Sequence, residues 1–102
     1  MAENPCPIYA QHQMRSQGFA SVKDESGAKI NQLDGGGWFK CGCGERFISW
    51  GSPQSRLPIV YYATEGAIVG SNGASTGIGA FTVKRSLVRF TESNTLPGYM
   101  FL

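Results

Sequence analysis

The chain has 102 residues, enough for one small domain, which excludes a multidomain enzyme built around a large active site. Nine Lys and Arg against seven Asp and Glu leave a net charge of +2, too small to mark a nucleic-acid or anionic-membrane binder by charge alone. Only 16% of residues are charged, glycine contributes 14 and 41% are hydrophobic, so the chain is turn-rich yet carries enough apolar surface for a packed core.

Residues 1–18 read as an irregular N-terminal arm: two prolines near the start, then Gln11-His12-Gln13-Met14-Arg15-Ser16-Gln17 without a clear apolar period. Residues 19–102 read as a single small β domain. Residues 19–22 and 28–33 alternate in part around the turn-like Lys23-Asp24-Glu25-Ser26-Gly27, which predicts a β-hairpin. Asp34-Gly35-Gly36-Gly37 predicts a loop before a strand at 38–40, and another strand runs over 46–50. After a loop at 51–55, residues 57–63 have the β-branched and aromatic composition of a buried strand. Residues 81–90 fit a helical stripe through Val83, Leu87 and Phe90. They also fit strand alternation, with Phe81 and Val83 on one side and Val88 and Phe90 on one side further along, and the β context favours strand. The expected fold is therefore mainly β, a small antiparallel domain with glycine-rich loops and little helix.

No apolar stretch approaches the ~18 residues of a membrane-spanning helix, so no membrane partner is expected. The first residues, Met-Ala-Glu-Asn-Pro-Cys-Pro, lack the basic and apolar regions of a secretory signal. The expected location is cytoplasmic or within a virion. In a reducing compartment, three cysteines are better suited as thiols or metal ligands than as bridges.

The segment Trp38-Phe39-Lys40-Cys41-Gly42-Cys43-Gly44-Glu45-Arg46-Phe47 places two cysteines around a glycine between aromatics. Glycine lets the backbone turn so that both thiolates face one ion. Over these ten residues the chain resembles the knuckle of zinc-ribbon proteins, with C-x-C in place of their C-x-x-C. A tetrahedral site needs four donors, and Cys6 and His12 are the remaining cysteine and the one histidine of the chain. Cys6, His12, Cys41 and Cys43 thus form a candidate Cys₃His zinc site that pins the arm to the knuckle and staples a small core. The same C-x-C pair has a second reading, as a dithiol for thiol–disulfide exchange.

Residues 72–79, ending in Gly-Ile-Gly, resemble the cofactor loop of short-chain dehydrogenases. In that family the loop opens a dinucleotide-binding fold, whereas here 23 residues follow Gly79 and no Tyr-x-x-x-Lys pair is present. The segment is read as a glycine-rich turn between two strands. With a single histidine on the arm and carboxylates scattered along the chain, no catalytic residue is nominated and no enzymatic activity is expected.

Lys84, Arg85 and Arg89 form the basic cluster, near Phe81 and Phe90. Basic residues interleaved with aromatics suit a phosphate backbone and its bases, and suit equally the solvated face of an edge strand. The apolar tail, carrying Tyr99, Phe101 and Leu102, is expected to dock on this domain or on a partner. Together these features point to a non-enzymatic structural or protein-interaction protein whose partner is another protein or a second copy. The low charge and Gly/Ser/Thr content resemble small structural proteins of phage particles and contractile tails. A zinc-ribbon-type nucleic-acid-binding module is the alternative.

Overall fold

A computed structural model describes residues 6–72 and 78–102. Among these residues eight strands run in chain order: β1 (His12–Lys23), β2 (Gly37–Lys40), β3 (Arg46–Ser49), β4 (Val60–Thr64), β5 (Ile68–Asn72), β6 (Ile78–Val83), β7 (Arg89–Thr91) and β8 (Tyr99–Phe101). Helical structure among the described residues is confined to three single 3-10 turns, at Pro53–Ser55, Glu65–Ala67 and Arg85–Leu87. No helix there is long and apolar enough to cross a membrane. The mainly β expectation holds.

The strands form one curled sheet in the order β5-β6-β1-β2-β3-β4-β7, with β8 added to β1. Most neighbours are antiparallel, but β1 runs parallel to both β6 and β8, so the sheet is mixed.

The central strands are buried on both faces. Along β3, Phe47, Ile48 and Ser49 are all fully buried, which explains why this segment reads as a run rather than an alternation. Phe47 joins a cluster with Met14, Phe39, Cys41, Ile59, Tyr62 and Tyr99. Ile48 joins a second cluster with Ala20, Val22, Leu33, Ala63, Phe81 and Val83. Since successive strand residues point to opposite faces, the two cores lie on opposite sides of the sheet.

A bulge in β1 lets one strand serve both cores. Ser16 pairs with Phe39 and Gly18 with Trp38, leaving Gln17 as the extra residue. Met14 and Ala20 are an even number apart and would share a face in a regular strand. The inserted residue reverses the parity, sending Met14 to one core and Ala20 and Val22 to the other.

Several local expectations are corrected. The arm was expected to be irregular through Gly18, yet β1 begins at His12, because β8 supplies backbone partners for His12, Gln13 and Met14. The return arm of the expected hairpin reaches β1 only through the Lys23–Lys29 bridge and the Ile30 N–H to the Val22 carbonyl, then turns away over residues 31–35. Residues 81–90 are strand, 3-10 turn and strand in succession, not a single element. The helical stripe fails on burial: Val83 is buried while Leu87 and Phe90 are exposed.

The dehydrogenase-like loop lies largely outside the described residues, which omit 73–77. The strands on either side, β5 and β6, pair antiparallel with Asn72 opposite Ala80. The parallel βαβ arrangement that such a cofactor loop serves is not formed by them.

Candidate metal centre

The four residues selected by donor type and spacing converge in space. One ligand atom from each of Cys6, His12, Cys41 and Cys43 lies within 4.8 Å of all the others. The Cys6 and Cys41 sulfurs are 3.8 Å apart, and the Cys43 sulfur is 3.3 Å from His12 Nδ1. Four donors at about 2.3 Å from one ion would stand about 3.8 Å from one another, so the cluster is close to the size of a tetrahedral thiolate site.

Three pieces of chain deliver these donors, each for a local reason. Cys41 and Cys43 sit in the hairpin between β2 and β3, where Lys40 pairs with Arg46 and the Cys41 N–H donates to the Glu45 carbonyl at 2.9 Å. The Gly44 N–H donates to the Cys41 carbonyl at 2.9 Å, and Gly44 has φ of 101°. A turn followed by a left-handed residue is the usual three-residue hairpin loop, and glycine takes that conformation without a Cβ clash. The single-residue Cys spacing thus belongs to a tight three-residue hairpin loop.

His12 opens β1. Its N–H donates to the Gly98 carbonyl at 2.7 Å, and its ring lies 5.1 Å from that of Tyr99, so the last strand holds the histidine in place. Cys6 precedes β1 and accepts the Tyr9 N–H at 3.3 Å. Tyr9 in turn covers the knuckle: a Cβ on Gly42 would lie 3.4 Å from its hydroxyl.

The cluster is anchored to the aromatic core. His12 and Cys41 are each 1% exposed, while Cys6 and Cys43 are half-buried against the same core. Phe47 lies at the centre, stacked on Tyr62 at 5.4 Å and meeting Tyr99 and Phe101 at 5.3 and 5.1 Å. Glu45, also buried, accepts the Tyr99 hydroxyl at 2.9 Å.

The thiols titrate unequally. Burial pushes Cys41 up, but the Cys43 N–H, the His12 ring, the Gln13 N–H and the Cys43 thiol outweigh it and bring Cys41 down to about 6. Burial pushes Cys43 up, and although the Glu45 N–H opposes this, the neighbouring Cys41 and Cys6 carry it to about 11. Negative charge at Cys41 therefore suppresses a second thiolate beside it. A divalent cation reverses that repulsion, because it attracts every thiolate at once.

Four protein donors on one ion would fill a tetrahedral shell and leave no position for a substrate, the pattern of structural rather than catalytic metal sites. The turn after Cys43 leads into β3, so the C-x-C pair lacks the helix N-terminus that activates many redox thiols.

The other nominated residues are placed differently. Arg85 donates to Asp24 at 3.0 Å and to the Lys29 carbonyl at 3.2 Å, closing the turn after β1. Lys84 and Arg89 are exposed. Phe81 is buried in the core and Phe90 is exposed beside Tyr61, so the two aromatics do not present one surface. In the tail, Tyr99 and Phe101 pack into this domain's own core and Leu102 is 44% exposed. Sequence reasoning missed Glu45 and Tyr99 as supports of the metal cluster, since their pairing spans 54 positions and leaves no local signal.

No protein-family model matches the chain, and neither a curated protein nor a solved structure matches it. The fold and the cluster define the protein by their own chemistry: a small β domain with a Cys/His group that can hold a metal ion.

Proposed function

We propose that this chain is a zinc-stapled β domain with a non-enzymatic structural or protein-interaction role. The observation that carries this reading is the convergence of four donors, from the arm, β1 and the β2–β3 hairpin, within 4.8 Å. Three soft sulfurs and an imidazole suit zinc better than the hard cations calcium and magnesium, which take oxygen ligands. A filled coordination shell against an aromatic core suits a folding staple, and the zinc then contributes folding free energy directly. A small domain has limited apolar area to bury, so such a staple matters more here than in a larger chain. A second copy or another protein remains the proposed partner, in a cytoplasmic or virion setting.

The test is native mass spectrometry of protein purified without chelator, with thermal melts before and after chelation. One zinc per chain, lost together with a large fall in melting temperature, supports the staple. Metal-free protein from zinc-supplemented cells, with a melt indifferent to chelator, rejects it.

A further inference from the structure

A shallow groove of about 330 Å³ lies between the sheet around Phe19 and the loop that follows β3. That volume falls at the lower end of the ~300–1,000 Å³ range of small-ligand sites. Two aromatic rings stand open on it: Phe19 is 67% exposed and Trp50 is 49% exposed. A single exposed aromatic needs no explanation, but two lining one groove are a feature of the surface.

Gly37 also lines the groove, and in the sheet it pairs with Phe19 on one side and with Ser49, the residue before Trp50, on the other. Nothing in the backbone requires glycine there. Its φ is not positive, and an added Cβ would meet only the Gly18 carbonyl oxygen, at an ordinary 3.6 Å. A β-branched residue would suit the strand better. The missing side chain weakens β2 and keeps the groove open.

The polar part of the lining is neutral. Ser52, Gln54 and Ser55 are exposed along it, and the Gln54 amide donates to the Leu102 carbonyl. Among the described residues, no charged side chain lines the groove. It therefore offers a phosphate, a nucleic-acid backbone or a metal ion no opposite charge to pair with. What it offers is aromatic faces, whose negative π surface attracts polarised C–H groups, beside hydroxyl and amide groups that both donate and accept. A pyranose ring has the matching chemistry, with C–H groups on its faces and hydroxyls at its edges.

We propose that this groove is a binding site for a neutral saccharide, whose rings stack on Trp50 and Phe19 while Ser52, Gln54 and Ser55 hydrogen-bond its hydroxyls. The site shares no residue with the metal cluster, so it stands or falls separately from the zinc reading. The test is calorimetric titration of the intact, metal-replete protein with cellohexaose, maltohexaose and N-acetylchitohexaose. Saturable binding of at least one, with a dissociation constant on the order of 1 mM or tighter, is expected. Trp50→Ala should weaken it at least about tenfold, as loss of an aromatic anchor does. Gly37→Val should abolish it while leaving the melting temperature equal or higher, because it fills the groove and favours the strand. If Gly37→Val misfolds, glycine is there for the fold and that argument is overturned; the exposed Trp50→Ala variant then decides the site alone. Absence of binding at millimolar saccharide, binding unchanged by Trp50→Ala, or binding of a neutral Gly/Ser peptide in place of every sugar would overturn the proposal.

Discussion

The sulfurs of Cys6 and Cys41 lie 3.8 Å apart across 35 positions of sequence. Both pack against the same aromatic core, but core packing alone does not turn two sulfurs toward each other and toward Cys43 and His12. A shared ion gives the contact a physical cause. Replacing Cys6 with Ala should then lower zinc affinity by more than the 10- to 100-fold cost of losing an outer-shell partner. In chelator, the variant and the parent should melt within about 4 °C of each other, since a half-buried thiol without its ion contributes on the order of 0.5 kcal/mol. Competition with a chromophoric chelator measures the affinity, and scanning calorimetry the melts.

The Tyr99 hydroxyl and Glu45 form a buried pair that ties the last strand to the knuckle hairpin. Tyr99→Phe keeps the ring against His12 and removes the donor. The carboxylate loses a buried partner, so stability should fall by about 1–3 kcal/mol. Adding Glu45→Leu should cost less in the Tyr99→Phe background than in the parent, because the group left unsatisfied is removed. Urea unfolding of the four proteins closes the cycle.

Gly51 makes a close approach that no side chain can share. A Cβ there would lie 1.7 Å from the Pro58 carbonyl oxygen and 2.8 Å from the Ile59 carbonyl, both rigid backbone, where the Gly51 N–H bonds to the Ile59 carbonyl oxygen. Gly51→Ala must displace the β3–β4 connection and should destabilise by at least about 2 kcal/mol, the larger end of point-mutant effects. A parental urea midpoint would show that the two segments separate freely.

Asp24, at the turn after β1, links folding to pH. The Ser26 hydroxyl, against an opposing push from burial, acts with Arg85 and the N–H groups of Ala28 and Ser26 to hold its carboxyl down at about 2. A pKa lowered by folding gives stability that is complete above the ordinary value of 3.8 and is lost as pH falls through the folded one. The melting temperature should therefore drop between about pH 4 and about pH 2, and Asp24→Asn should flatten that part of the profile. An unchanged acid limb in the variant would assign it to other carboxylates.

The metal donors were legible because the chemistry is carried by residue type: three cysteines and one histidine admit one complete four-donor set. The strands on either side of the Cys41–Cys43 turn were legible because their composition and the glycine between the cysteines are local signals. What remained hidden depends on distant partners. The start of β1 at His12 is set by β8, and Gln17 masks the alternation that would have announced a strand. Arg85 belongs to a basic cluster in sequence, but in the fold it serves a carboxylate 61 positions away. Parallel pairing of β1 with β6 has no signature in either strand alone, because long-range register is decided by packing.

The central claim is that Cys6, His12, Cys41 and Cys43 bind one zinc ion. X-ray absorption at the zinc edge of the metal-replete protein tests it most directly. The expected first shell is three sulfurs at about 2.3 Å and one imidazole nitrogen at about 2.0–2.1 Å. A shell of oxygen and nitrogen alone, or one with fewer than three sulfurs, would contradict it.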